Sequence, residues 1–282
     1  MNLITKNKIY HNDLQLATHK RLFSNLSGEH KSFYSGNGLD FREIREYTSS
    51  DDIRHINWKV TARSLTPCVN LFNEDKKLNV VLVYLMNGSI FFGSARSKKD
   101  AMTDILAHLS FAILSKKDRI TTVFFSDIEE MFSPPTSDRS IQEKNIKTAD
   151  ESKPLGKSIN FERLEQYLLE KIKTKSLIFF IGDFLEMPSF KFLAAKHELY
   201  CAIIRDKFEE DLNLLGDFTI LDTNSQKSEN IFLEPSTIKK YNSLLKEHDK
   251  ELISYLKKSK IRHEKIYTDD LIIPKLARLV RN

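Results

Sequence analysis

Cysteine is nearly absent: Cys68 and Cys201 are far apart and form no CxxC pair. So low a count excludes a disulfide framework and an all-cysteine zinc site. Two packed, reduced thiols are the simplest expectation. Glycine (8) and proline (7) are scarce, and tryptophan occurs once, at Trp58. Collagen-like and Gly-rich low-complexity architectures are thereby excluded. The longest apolar run, residues 80–86, falls far short of the roughly 20 residues that cross a bilayer as a helix. Residues 1–10 are polar and hold no apolar h-region, so no secretory signal is expected and a cytoplasmic location follows by default. Strong charge of one sign is missing too. The 44 basic and 39 acidic residues leave a net +5, scattered rather than gathered into the stripe of a nucleic-acid binder. No HExxH, GxSxG, GxxxxGK[ST] or kinase signature occurs. His197-Glu198 lacks a second histidine, Gly36-Asn37-Gly38 is a lone GxG, and there is no internal repeat.

What is present suits a soluble globular chain: 282 residues, 40% hydrophobic and 29% charged, enough to bury a sizeable core. Residues 1–77 and 78–282 read as different regions. In the first, apolar positions over 12–26 predict a short helix, and an irregular, polar stretch of turns and short β segments follows. In the second, near-continuous apolar runs at 80–86, 120–125, 177–181 and 199–204, with a weaker one at 261–267, predict strands of a parallel sheet covered on both faces. Amphipathic stretches at 100–114, 161–172, 236–256 and 271–280 predict the covering helices. This alternation describes a doubly wound α/β domain. Residues 137–158 are polar and charged and read as an exposed, mobile loop.

Ligands of doubly wound sheets sit outside the C-terminal ends of the strands. There the sequence places Leu85-Met86-Asn87-Gly88-Ser89, Ser126-Asp127 and Gly182-Asp183-Phe184, with Ser158 just before a helix. Hydroxyls and a carboxylate meeting at one spot would suit Mg2+, which prefers oxygen ligands. Ser and Asn at such positions also serve simply as caps. The most distinctive local run is Asp51-Asp52-Ile53-Arg54-His55-Ile56-Asn57-Trp58-Lys59. Arg42, Arg45, Arg54 and Arg63 stand near Asp40, Glu43, Glu46, Asp51 and Asp52, and Arg pairs with carboxylates through a planar fork. With no nucleophile among them, the expected use is an ion-pair network fixing the irregular module onto the α/β domain; the rival is a docking surface. Trp58 is expected to lie buried between the two regions, with Arg54 or Arg63 paired to a carboxylate.

These residues carry a resemblance. Gly28-x-His30-x-Ser32, then Gly36-x-Gly38-x-x-Phe41-x-x-x-Arg45-x-Tyr47, then Asp51-Asp52-x-Arg54-x-Ile56-x-Trp58-x-x-x-Ala62-Arg63, is similar to the signature of the bacterial domain-of-unknown-function family 58. Phe92-Gly93-Ser94, Pro134-Pro135, Ile181-Gly182-Asp183-Phe184 and Tyr267-Thr268-Asp269-Asp270 look like further landmarks of it, so the likeness runs from about Leu14 to the end. The resemblance implies a von Willebrand factor A-like α/β domain, with a mostly parallel sheet and helices on both faces, behind a small β-rich module. It also implies a partner, a MoxR-type AAA+ ATPase, and other von Willebrand A proteins beside it, in chaperone-like maturation or assembly of other proteins. Some members carry membrane helices before the signature; this chain shows none.

Von Willebrand A domains with a working metal site carry Asp-x-Ser-x-Ser after the first strand. By resemblance, Leu85, Asn87 and Ser89 stand at those positions, Ser158 near the site's Thr and Asp183 near its later Asp. The acidic residue is lost, so weak or no Mg2+ binding is expected. The expectation is therefore a non-enzymatic adaptor without a cofactor, membrane span or nucleic-acid partner. Two rivals are a metal-dependent hydrolase or phosphatase built on Asp183, Ser89 and Asp127, and a nucleic-acid binder using Lys257-Lys258-Ser259-Lys260. That last run more simply complements a helix C-terminus.

Overall fold

The computed structural model describes residues 34–49, 51–221, 223 and 227–281. The helix expected over 12–26 and the signature residues Gly28, His30 and Ser32 lie outside the described residues. In chain order the elements are β1 (Tyr34–Glu46), a 3-10 turn (Ile53–His55), α1 (Trp58–Ser64), β2 (Cys68–Leu85), a second 3-10 turn (Gly88–Phe91), α2 (Lys98–Leu114), β3 (Arg119–Phe125), β4 (Glu129–Thr136) and α3 (Arg139–Glu151). Next come α4 (Phe161–Lys171), β5 (Leu177–Gly182), α5 (Lys191–Lys196), β6 (Glu198–Arg205), α6 (Lys207–Glu210) and β7 (Gly216–Leu221). The last are β8 (Ser228–Leu233), α7 (Pro235–Lys258), β9 (Arg262–Tyr267) and α8 (Ile272–Arg281).

The central sheet has the order β4-β3-β2-β5-β6-β9. Every neighbouring pair from β3 to β9 is parallel, and β4 closes the other edge antiparallel to β3. Successive side chains of a strand point to opposite faces, and β2 shows the result. Val80, Leu82 and Tyr84 join one core with Ile105, Leu109 and Leu276, so α2 and α8 cover that face. Val81, Val83 and Leu85 join a second core with Leu164, Leu193 and Leu252, so α4, α5 and α7 cover the other. The expected α/β class, with a mostly parallel sheet flanked by helices, is the class observed.

β2 is longer than the apolar run that announced it. Its first part, Cys68 to Leu78, pairs antiparallel with β1, and Asn79 to Leu85 pairs with β3. One strand therefore passes from the signature module into the sheet, and the division at 77/78 falls inside it. α1 packs beside the start of β2: Asn57 N–H donates to the Cys68 carbonyl (2.8 Å), and Cys68 N–H donates to Thr61 Oγ1 (3.0 Å).

Two expectations are corrected. Residues 137–158 are not simply a mobile loop, because 139–151 form α3, capped by Asp138. The residues α3 buries are Gln142, Asn145 and Ala149, at helical spacing but mostly polar. Thr122 Oγ1 on β3 donates to Gln142 Oε1 (3.0 Å), so the inward stripe is held by hydrogen bonds and had no apolar signal to read. Trp58 is not buried: it is 68% exposed. Asn57 and Thr61 face β2, and Trp58 lies roughly 100° round the helix from Asn57. Among the described residues no helix is long and apolar enough to cross a membrane.

Candidate functional site

The C-terminal ends of β2 and β5 are adjacent in the sheet and bring three of the four expected residues together. Asn87 Nδ2 donates to Asp183 Oδ1 (3.0 Å) and to Ser89 Oγ (2.8 Å), and Ser89 Oγ donates to Asp183 Oδ2 (2.5 Å). The close approach needs glycine: a Cβ at Gly182 would stand 2.6 Å from Leu85 Cδ1. Ser158 does not join this group. It is exposed, and no hydrogen bond links its hydroxyl to Asp183 among the described residues; its neighbour Lys157 accepts from Gly88 N–H (3.0 Å). Asp127, the third residue of the hydrolase reading, accepts from Ser126 Oγ (3.2 Å) and has no hydrogen bond to Asp183.

The decisive residue is one that sequence reasoning missed. Lys98, the first residue of α2, is fully buried. Its ammonium donates to Asp183 Oδ2 (3.0 Å) and to both oxygens of Glu209 on α6 (3.0 and 3.2 Å). Burial pushes the Asp183 carboxyl up. The charge of Lys98 and the hydrogen bonds from Ser89, Asn87 and Lys98 outweigh that and hold it below its usual range. A lysine at a helix N-terminus opposes the macrodipole, and that anomaly was the available signal in the sequence.

Around this ion pair lies a wider polar network. Buried Arg205, at the end of β6, donates to the Asp183 carbonyl and to Asp249 Oδ1 on α7 (2.7 Å). Lys265 on β9 bridges Asp249 and Glu210 (2.5 and 2.7 Å). Two of the landmark residues converge on Asp206. Ser94 donates its N–H (3.0 Å) and hydroxyl (3.1 Å) to Asp206 Oδ2, and Thr268 Oγ1 donates to the same oxygen (2.7 Å). Those landmarks thus fasten the loop after β2 to the ends of β6 and β9.

The group does not fit a divalent cation as it stands. Asp183 Oδ2, the oxygen a metal would need, already accepts from a hydroxyl and an ammonium. Among the described residues no group of three or more His, Cys, Asp or Glu is placed to hold a metal ion.

The signature residues form a second site. Arg45 grips Asp51 with both Nη atoms (2.8 and 2.6 Å), and Thr48 adds its N–H and hydroxyl to the same carboxylate (2.8 Å each). Asp52 caps the 3-10 turn and pairs with Arg54 (2.6 Å). The hydrogen bonds of Arg45 and Thr48 hold the Asp51 carboxyl far below its usual range, and those of Arg54 hold Asp52 at about 2. Arg63 is exposed in the last turn of α1. The expected pairing of Arg54 with a carboxylate is present. These two ion pairs close within residues 45–54 and tie the module's own loop together. Beside them Ile53 (65%), Trp58 and Leu65 (91%) stand open to solvent.

Over 230 residues the chain is 25% identical to Uncharacterized protein Rv1480 of Mycobacterium tuberculosis, covering 79% of this chain and 73% of that one. The match to Uncharacterized protein Mb1516 of Mycobacterium bovis has the same figures. Among solved structures it is similar to conserved hypothetical protein BatB from Bacteroides thetaiotaomicron, at 10% identity and a TM-score of 0.44, covering 72% of this chain and 99% of that one. It is also similar to an aerotolerance-related membrane protein from Bacteroides fragilis, at 11% identity and a TM-score of 0.36, covering 62% and 98%. At those scores the two structures carry no argument about function. The family described as Protein of unknown function DUF58 matches residues 43–251, from the Arg45–Asp51 loop through the strand-end cluster into α7, and the chain belongs to that family.

Proposed function

We propose that this chain is a non-enzymatic interaction protein that works with a MoxR-type AAA+ ATPase in the maturation or assembly of other proteins. One observation carries the reading: the loop and helix beyond β1 hold the chain's single tryptophan in solvent, beside exposed Ile53 and Leu65 and on a loop stiffened by the Arg45–Asp51 pair. Aromatic anchors on rigid supports are what protein interfaces use as hot spots. A pre-ordered loop also reduces the entropy lost on docking. The hydrolase alternative would need Asp183 free to hold a metal or a reacting group, whereas Asn87, Ser89 and Lys98 occupy both of its oxygens. A metal-free adaptor is the form of the proposal that this pairing of Asp183 supports.

The test is co-purification and titration calorimetry of the full chain with a MoxR-type ATPase from the same cell, with and without ATP. The wild type should form a complex in at least one nucleotide state. Trp58→Ala should weaken it by roughly 30-fold, the loss expected of a hot spot worth about 2 kcal/mol. No complex in either state, or equal binding by Trp58→Ala, would overturn the proposal.

A further inference from the structure

The surface around Trp58 is cationic as well as apolar, and part of its positive charge is uncompensated. Residues 53–73 hold Arg54, Lys59 and Arg63 and no Asp or Glu. Arg54 is taken by Asp52, at 2.6 Å. Lys59 and Arg63 are exposed, and their side chains have no ion pair among the described residues. They lie four apart on α1 and so share a face. Asn57 and Thr61 turn toward β2, where Asn57 Nδ2 donates to Asn70 Oδ1 (2.8 Å) and Thr61 Oγ1 accepts from Cys68 N–H (3.0 Å). At 3.6 residues per turn, Lys59 and Arg63 fall on the opposite side of the helix, and Trp58 and Ala62 on the flank between. Leu65 follows directly, in the left-handed C-cap. Like charges four apart disfavour a helix, and no carboxylate among the described residues relieves this pair.

We propose that this surface docks on an acidic face of its partner: an apolar recess that takes Trp58 and Leu65, bordered by carboxylates that meet Lys59 and Arg63. The proposal rests on the partner reading above and adds the chemistry of the partner's surface. Apolar contact accounts for exposed Ile53, Trp58 and Leu65, but it gives no reason for two free cations beside them. Acidic side chains on the partner supply one, because complementary charge steers encounter, excludes wrong partners and fixes register. The order of the surface favours a protein over a lipid bilayer. Asn57 caps α1 by accepting from Val60 N–H (3.1 Å), and Arg45 and Thr48 hold the preceding loop through Asp51. A fluid bilayer gains little from cations at a fixed spacing, whereas a shaped protein surface gains the ordering entropy that is not lost on docking.

The experiment follows association of the full chain with a MoxR-type ATPase from the same cell, by surface plasmon resonance at low and at high NaCl. Four proteins are compared: wild type, Lys59→Glu/Arg63→Glu, the conservative Lys59→Arg/Arg63→Lys, and Lys239→Glu/Lys246→Glu, which changes the net charge equally at exposed positions of α7. Wild-type association should slow at least about tenfold as salt screens the charges. Lys59→Glu/Arg63→Glu should bind at least about tenfold more weakly at low salt, chiefly through slower association, and should lose most of the salt dependence. The conservative exchange and the α7 variant should bind as the wild type does. Circular dichroism should be the same for all four, since every substituted side chain stands in solvent. Absence of a complex with the wild type would overturn the partner reading and this proposal with it. A complex that Lys59→Glu/Arg63→Glu leaves intact, or that the α7 variant weakens equally, would overturn this proposal alone. So would cosedimentation of the wild type with phosphatidylserine vesicles that Lys59→Glu/Arg63→Glu abolishes, which would assign the surface to lipid.

Discussion

Replacing Lys98 by methionine keeps the stem and deletes the charge, leaving two carboxylates facing each other without a counter-charge. Removing one member of a buried ion pair costs about 3–5 kcal/mol, because the other member stays desolvated. Lys98 is fully buried, and Asp183 and Glu209 nearly so, which puts this pair at the buried end of that range. Lys98→Met should therefore lower stability by about 3–5 kcal/mol. Lys98→Met/Asp183→Asn should recover part of that, with a coupling energy of at least about 2 kcal/mol in the double-mutant cycle. Urea denaturation followed by far-UV circular dichroism is the assay. Tryptophan fluorescence is unsuitable, since Trp58 is exposed in the native state. The pH dependence carries a sign. In the wild type the depressed Asp183 carboxyl contributes stability that is present above about pH 4 and is lost as pH falls through its folded value. In Lys98→Met the Lys98 charge no longer opposes burial and only the Ser89 and Asn87 hydrogen bonds do, so the Asp183 carboxyl rises relative to wild type and the variant's deficit should shrink as pH falls. Additivity within about 0.5 kcal/mol, or a Lys98→Met deficit under 1 kcal/mol, would refute the reasoning.

Three further predictions follow from burial and exposure. Trp58→Ala should change stability by no more than about 0.5 kcal/mol, as for other surface substitutions, so any loss of partner binding is a loss of contact; a large fall in the urea midpoint would show that Trp58 packs against something. His197 is buried with both ring nitrogens unpartnered, and burial lowers its pKa to about 4. Stability should accordingly fall as pH drops from about 6.5 towards 4, by about 1–2 kcal/mol between pH 7.5 and 5 after discounting for water access. His197→Leu should flatten that slope, and an unchanged slope would refute the assignment. The Cys201 thiol is raised by complete burial, so in a Cys68→Ser background it should react with Ellman's reagent only as fast as the chain opens. Labelling at the rate of a free thiol would place it at the surface.

The parts of the fold that were legible in the sequence are those held by apolar burial. The parallel strands β2, β3, β5 and β6 announced themselves because both faces of each are covered, the edge strand β9 only weakly because most of it is half-exposed, and α2, α4, α7 and α8 because their inward residues are apolar at helical spacing. What stayed hidden is held by polar contacts or by shape. α3 turns Gln142 and Asn145 inward, which reads as loop. β4 contains Pro134 and Pro135, tolerated because it is an edge strand. The β7–β8 hairpin forms a separate two-stranded sheet and carries exposed Leu221 and Phe232, so no clean alternation marked it. At the candidate site, strand-end logic found Asn87, Ser89 and Asp183 because those residues follow their strands directly. It placed Ser158 wrongly, since a hydroxyl before a helix can face solvent as easily as a neighbouring strand.

Lys98, which went unnoticed, and Trp58, which was expected to be buried, escaped the sequence reading for a common reason. Each violates a local rule: a lysine opens a helix and is buried, and a tryptophan opens a helix and is exposed. Natural sequences agree with their folds at most positions, and departures concentrate where something other than local stability was selected. A helix start that needs a carboxylate cage for its own lysine is justified if the cage fastens the ends of β2, β5 and α6 into one unit, as the hydrogen bonds of Asp183 and Glu209 do. A tryptophan held in solvent by a stiffened loop is justified if something binds it. The strand that leaves the Trp58 helix is β2, whose far end runs into Asn87 and Ser89. The exposed helix and the strand-end cluster therefore stand at opposite ends of one continuous strand.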